Sequence, residues 1–134
     1  MRKIVLAVMV ALVAVSCGGG RGSNADDPTI GAGRPSCTAS GDQVSISADN
    51  LEYDKGCLAV PANRDFTINF DNREGLPHNV VILKDAGSSD SLFSGSIVTG
   101  PKKVAYAVKA MPAGTYRFHC SVHPTQMNGT FIVQ

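Results

Sequence analysis

Residues 114–130, GTYRFHCSVHPTQMNGT, have the pattern of a strand, a tight loop and a second strand. The loop carries a thiol, an imidazole and a thioether at Cys120, His123 and Met127, in the spacing Cys-x2-His-x3-Met. All three groups are ligands for soft or borderline transition metals. Because a short loop can bring three side chains to one point only when they are a few residues apart, this spacing predicts a metal site.

A fourth donor is available at His78, at the head of an apolar, β-branched run. Zinc accepts one Cys and two His but has little use for a thioether. Two His and one Cys with a weak axial Met are the ligands of a blue-copper electron-transfer site, so the donor set favours one copper ion that alternates between Cu(I) and Cu(II). Since 41 residues separate His78 from Cys120, spacing alone leaves open that His78 is a buried histidine satisfied by the backbone.

At these motifs the chain resembles the cupredoxin family, in particular the plastocyanin-like and amicyanin-like blue copper proteins. The resemblance rests on Pro-His-Asn-Val at residues 77–80, on Gly-Thr-Tyr-Arg-Phe-His-Cys at residues 114–120 and on the ligand loop that follows. It covers roughly residues 41–134. Three residues lie between His123 and Met127, where plastocyanin-like loops have four and amicyanin-like loops have two.

The resemblance implies a one-electron carrier, not an enzyme, with a type 1 copper ion. The four ligands that it implies are His78, Cys120, His123 and Met127. It also implies that Asn79 links the two ligand segments through hydrogen bonds near the Cys120 sulfur, and that the electron leaves through His123. A surface patch near Pro77 and Pro124 would dock redox protein partners transiently.

Several alternatives remain open. A copper delivery or homeostasis lipoprotein without electron shuttling would bind the same metal, although such proteins tend to carry Met-rich clusters and this chain has four Met, two of them at Met1 and Met9. A copper oxidase or reductase needs further copper centres, which three His cannot supply. A cysteine hydrolase based on Cys120 and His123 lacks an obvious orienting acid and an oxyanion-hole motif. Core packing is the simplest alternative for Cys120 and Met127.

The first 16 residues have the pattern of a signal peptide. Arg2 and Lys3 precede an apolar run of 12 residues, 4–15, which is too short to cross a bilayer as a mature helix. Ala-Val-Ser-Cys at residues 14–17 resembles a bacterial lipobox, so we expect Cys17 to carry a lipid anchor. Ordinary secretion with a free Cys17 is the alternative. These features predict export to the cell envelope, in the periplasm or on the outer face of the cytoplasmic membrane.

Two further segments follow Cys17. Residues 17–40 are rich in Gly, Ser, Asp and Pro and are expected to form a flexible tether, which leaves residues 41–134 for the copper-binding domain. With Cys17 as the anchor and Cys120 as a ligand, Cys37 and Cys57 remain as a pair in an export compartment, where disulfides persist. We therefore expect a disulfide between Cys37 and Cys57.

The pattern beyond residue 41 is that of an all-β domain. In residues 65–71 apolar Phe66, Ile68 and Phe70 alternate with polar residues, which is typical of a strand with one buried face. Seven or eight short strands of this kind, joined by long crossings, predict a Greek-key β-sandwich. Residues 84–96 are polar and rich in Gly and Ser, and are expected to be a loop. Strand alternation directs His119 away from Cys120, so His119 is left out of the site.

Charge gives little reason to expect a polyanionic partner. The formal net charge of +1 includes Arg2 and Lys3, and is about −1 without the signal peptide. The chain has no basic cluster, Gly-rich phosphate loop or aromatic stacking series, which argues against nucleic acid. We expect a monomer.

Overall fold

The computed structural model of the protein describes residues 36–85 and 87–134. This part of the chain is all β, with eleven strands and no helix. The strands are β1 (Gln43–Asp49), β2 (Glu52–Tyr53), β3 (Cys57–Val60), β4 (Phe66–Asn72), β5 (Pro77–His78), β6 (Val81–Leu83), β7 (Ser91–Ser94), β8 (Val98–Thr99), β9 (Lys102–Val108), β10 (Gly114–His119) and β11 (Asn128–Val133). Eight of them are three residues or longer, which agrees with the predicted seven or eight; the others are two-residue segments.

The strands form two mixed sheets, as expected for a Greek-key β-sandwich. One sheet has the order β2-β1-β4-β9 and the other the order β3-β11-β10-β6-β7. Each contains one parallel pair, β1 with β4 and β11 with β3, while the other pairs are antiparallel. The small strands β5 and β8 form a separate antiparallel pair, which brings His78 opposite Val98.

The core lies between the two sheets and follows from the alternation in the sequence. In β4 every second residue is buried, and Phe66, Ile68 and Phe70 face the interior as predicted. Phe66 packs against Phe131 of the other sheet, with ring centroids 5.5 Å apart. Full burial of a side chain of this size contributes about 1.5–3 kcal/mol to the stability of the fold. Phe118, which is fully buried, therefore stabilises β10, the strand that leads to the ligand loop.

The expectation that residues 84–96 form only a loop is wrong. Residues 91–94 form the edge strand β7, which pairs with β6 through an irregularity at Ile82 and Leu83. As an edge strand it has one sheet neighbour, and only Phe93 is partly buried while Leu92 is exposed. One inward side chain gives too little alternation for the strand to be predicted from the sequence.

The hairpin of β1 and β2 turns through two residues with positive φ, Asn50 at 52° and Leu51 at 61°. Just after it, Asp54 accepts a hydrogen bond from the Ser47 amide at 2.7 Å and pairs with Lys55 at 2.8 Å. Partial burial raises the pKa of Asp54, but the hydrogen bonds from Lys55 and Ser47 outweigh it and hold that pKa below 3.8. The hairpin is thus fastened at its base by a carboxylate.

The predicted disulfide between Cys37 and Cys57 is confirmed, with Cα atoms 5.9 Å apart. The predicted signal peptide (residues 1–16), the lipidation site Cys17 and most of the tether (residues 17–40) lie outside the described residues. Residues 36–85 and 87–134 contain no helical segment that could span a bilayer.

Candidate metal centre

The four candidate ligands come from two segments that the sheet topology brings together. Cys120 directly follows β10, and His123 and Met127 lie in the loop that leads to β11. His78 ends β5, just before β6, and β6 pairs with β10 in antiparallel register, with Val81 opposite His119. The pairing of β6 with β10 therefore closes the gap of 41 residues that spacing alone could not bridge.

Three donor atoms form a triangle of the size that a metal ion requires. His78 Nδ1 lies 3.2 Å from His123 Nδ1 and 3.7 Å from Cys120 Sγ, and the third side, from Cys120 Sγ to His123 Nδ1, is 4.0 Å. With metal–nitrogen bonds of about 2.0 Å and a metal–thiolate bond of about 2.3 Å, a trigonal ion needs sides of roughly 3.5 and 3.7 Å. The triangle fits such an ion.

Burial keeps most of this triangle out of water. His78 and Cys120 are fully buried, whereas His123 is partly exposed. Two apolar side chains near the ligands in sequence, Leu76 and Val122, are also exposed, by 43% and 39%. The donor set therefore meets solvent through His123.

The ligand loop is closed by backbone hydrogen bonds between the candidate ligands themselves. The Cys120 amide donates to the Met127 carbonyl at 2.9 Å, and the Met127 amide donates to the His123 carbonyl at 2.9 Å. Asn128 also stabilises the turn, because its Nδ2 donates to the carbonyls of Pro124 and Thr125. Met127 is fully buried at this end of the core, which places its thioether on the dry side of the loop.

Asn79 joins the two ligand segments. Its Oδ1 accepts hydrogen bonds from the Ser121 amide at 2.9 Å and from the Ser121 hydroxyl at 3.0 Å, and its Nδ2 donates to the Gly95 carbonyl at 2.9 Å. Asn79 is 1% exposed, and each of its side-chain polar atoms has a partner. Since Ser121 follows Cys120, these bonds fix the thiolate segment against the residue next to His78.

Glu74 contacts a candidate ligand and was not singled out from the sequence. Its Oε1 accepts a hydrogen bond from His78 Nε2 at 2.8 Å and one from the Leu51 amide at 2.9 Å. The Leu51 bond is the main reason that the pKa of Glu74 lies below its usual value of 4.5, and His78 contributes in the same direction. The signal for Glu74 in the sequence was its position four residues before His78. This spacing alone does not show whether the two side chains are in contact.

Tyr53 is a second residue that sequence reasoning missed. Its hydroxyl donates to the Asn79 carbonyl, and its ring packs on Phe118 with centroids 5.4 Å apart. Burial, and then the nearby Cys120 thiol group, raise the pKa of Tyr53 far above its usual range. Tyr53 is therefore a neutral hydrogen-bond donor at neutral pH.

His119 lies outside the donor cluster, which within the described residues consists of His78, Cys120 and His123. It is partly buried on the other face of β10. Burial, followed by the charge of Arg117, lowers the pKa of His119. The prediction that the third histidine is not a ligand agrees with this placement.

Comparisons with known proteins agree on one family. Residues 5–133 match the family model described as a cupredoxin-like domain. The chain is 30% identical over 128 residues to amicyanin from Paracoccus versutus, covering 93% of this chain and 92% of that protein. It is 27% identical to auracyanin-A from Chloroflexus aurantiacus, covering 99% of this chain and 97% of that protein. The crystal structure of auracyanin from Roseiflexus castenholzii superimposes with a TM-score of 0.64, at 23% identity over 72% of this chain and 98% of that one.

Proposed function

Since this chain belongs to the cupredoxin family, we propose that it is a one-electron carrier that binds a single type 1 copper ion. The proposed ligands are His78, Cys120, His123 and Met127. The observation that carries the proposal is the triangle of His78 Nδ1, His123 Nδ1 and Cys120 Sγ, whose sides of 3.2–4.0 Å suit a trigonal ion. Bound copper would supply a reversible Cu(II)/Cu(I) couple.

The residues around the donors favour electron transfer because they hold the donors in one arrangement. His78 and Cys120 have no access to water, and Asn79 fixes the Cys120 segment through Ser121. When the donors are held in one arrangement, little energy is needed to rearrange them around the ion as its oxidation state changes. Met127 would be the weak axial ligand, which sets the reduction potential more than the affinity.

The proposed route for electrons is the His123 side of the site. His123 is the partly exposed member of the triangle, and exposed Leu76 and Val122 provide apolar surface near the two ligand segments in sequence. Weak redox encounters use small interfaces, so we propose transient docking of redox protein partners to a monomer at this surface. The protein would be a carrier and not an enzyme.

We further propose that the protein is exported and held at the cell envelope by a lipid on Cys17. The disulfide between Cys37 and Cys57 supports export, because disulfides persist in oxidising compartments. Residues 1–16 would be the signal peptide, residues 17–40 the tether and residues 41–134 the copper-binding domain. Acyl labelling of the precursor tests the anchor, with Cys17→Ser as the control that should lose the label.

Copper retention through repeated redox cycles separates a carrier from a delivery protein. A carrier should keep one copper per chain after several rounds of reduction and oxidation in the presence of a Cu(I) chelator, because His78 and Cys120 are buried. Loss of the metal on the first reduction would instead favour copper delivery without electron shuttling.

A second measurement examines the role of Met127. Met127→Leu should keep a coloured site and raise its reduction potential, since leucine offers no donor to stabilise the oxidised ion. An unchanged potential would mean that the thioether is not an axial ligand.

A further inference from the structure

One carboxylate oxygen, Oε1 of Glu74, accepts hydrogen bonds from two groups. The His78 ring donates from Nε2 at 2.8 Å, and the Leu51 amide donates at 2.9 Å. The Glu74 side chain is 17% exposed, whereas His78 is fully buried. The other ring nitrogen of His78, Nδ1, faces His123 Nδ1 and Cys120 Sγ. The imidazole therefore stands between an acid on one edge and the donor cluster on the other.

We propose that Glu74 is a positioning residue for the copper centre: it holds His78 as the Nε2–H tautomer and places a negative charge behind this ligand. A carboxylate cannot donate a hydrogen bond, so the proton of a neutral His78 must be on Nε2 for the contact to form. The lone pair of Nδ1 is then free to bind the metal. The proposal rests on the proposed function, because the ion concerned is the proposed copper.

The charge has a predictable effect on the two oxidation states. A carboxylate that accepts from a metal-bound imidazole raises the basicity of that ligand. The doubly charged oxidised ion gains more from this charge than the singly charged reduced ion does. Glu74 should therefore lower the reduction potential, and neutralising it should raise the potential.

Two hydrogen bonds position Glu74, one to its carboxylate and one from its backbone amide. The Leu51 amide comes from the two-residue turn between β1 and β2, where both Asn50 and Leu51 have positive φ. Non-glycine residues rarely adopt this backbone conformation, and it persists where surrounding contacts require it. In addition, Asn72 Oδ1 accepts a hydrogen bond from the backbone amide of Glu74 at 3.1 Å. A segment far from the ligands in sequence thus determines where the acid sits.

The β1–β2 hairpin makes a second contact with the same ligand segment, because Tyr53 donates to the carbonyl of Asn79. Its two hydrogen bonds therefore reach residues on either side of His78. The edge strand β2 and the turn before it thus contact the His78 segment at two points. The position of the Glu74 carboxylate therefore depends on the β1–β2 hairpin.

Two variants separate the charge from the hydrogen bond. Glu74→Gln keeps a carbonyl oxygen that can accept from Leu51 but removes the charge, and Glu74→Ala removes both. Glu52→Gln is the matched control, because Glu52 is an exposed acid on the β1–β2 hairpin, which contacts Glu74. Loss of such an outer partner lowers metal affinity or activity by about 10–100-fold. Glu74→Gln should therefore weaken Cu(II) binding relative to Cu(I) by about tenfold, which corresponds to a potential about 59 mV higher.

A metal-free measurement tests the tautomer independently of copper. Long-range ¹H–¹⁵N NMR on the apoprotein at pH 8 should show His78 as the Nε2–H form in the wild type and a mixture of tautomers in Glu74→Ala. A potential that moves no more in Glu74→Gln than in Glu52→Gln, or an unchanged His78 tautomer in Glu74→Ala, would overturn the proposal. A wild-type protein that shows the tautomer but does not cycle copper would contradict the proposed function instead.

Discussion

Replacing Asn79 with alanine should destabilise the metal-free protein by about 1.5–4.5 kcal/mol. The magnitude follows from three hydrogen bonds that the side chain makes, one to the Gly95 carbonyl and two from the amide and hydroxyl of Ser121. Gly95 is buried, so its carbonyl loses a donor that water cannot easily replace, which costs roughly 1–3 kcal/mol. Ser121 is exposed, so water can compensate there and the loss is about 0.5–1.5 kcal/mol.

The assay is equilibrium unfolding in urea, followed by far-ultraviolet circular dichroism on metal-free protein. Copper is left out because a ligand that binds only the folded state adds stability by mass action and would mask the difference. Asn69→Ala is the matched control, since the Asn69 side chain makes one exposed hydrogen bond of 3.3 Å to Gln43. Its loss should be below about 0.5 kcal/mol. A destabilisation by Asn79→Ala no larger than that of Asn69→Ala would refute the claim that Asn79 fastens the two ligand segments.

Three further predictions concern packing, the disulfide and pH. Gly129→Ala should cost about 2–3 kcal/mol, because a Cβ there would lie 2.5 Å from Cε1 of buried Phe118. Gly75→Ala, where a Cβ meets nothing within 4 Å, should be near neutral in the same urea assay; equal effects would contradict the packing argument. Breaking the disulfide by replacing both cysteines with serine should cost roughly 3 kcal/mol for a separation of 20 residues, and an unchanged unfolding midpoint would count against this. Asp54, whose pKa is lowered on folding, stabilises the protein above pH 3.8 and loses this effect as the pH falls through its folded pKa. Asp54→Asn should therefore be about 1 kcal/mol less stable than wild type at pH 7, after allowance for solvent screening; a difference that persists at pH 2 would show that the carboxylate charge is not responsible.

The parts of the fold that were predicted correctly are those in which a local pattern of residue types determines the structure. In β4 the buried residues Phe66, Ile68 and Phe70 alternate with half-buried ones, which gives seven residues with one consistent period. The ligand loop was predicted for a similar reason, because Cys120, His123 and Met127 lie within eight residues. Local spacing limits where these side chains can point.

The parts that were missed depend on contacts between distant segments. The Glu74 oxygen that accepts from His78 also accepts from the Leu51 amide, and no local pattern in the sequence predicts the turn that presents this amide. The packing of Tyr53 against Phe118 joins two sheets and is equally invisible in sequence. His78 was an available donor in the sequence, but only the family resemblance favoured it as a ligand over a buried structural histidine, since pairing of β6 with β10 is what brings it to Cys120.

The copper site and its redox cycling can be observed together in the visible absorption spectrum of the purified protein, loaded with Cu(II) and titrated with a mild reductant. A type 1 site should give an intense thiolate-to-copper band that bleaches on reduction, returns on reoxidation and is absent from Cys120→Ser, which should keep its fold. A colourless copper-loaded protein, a band that does not return, or the same spectrum in Cys120→Ser would contradict the assignment of a type 1 copper site used for electron transfer.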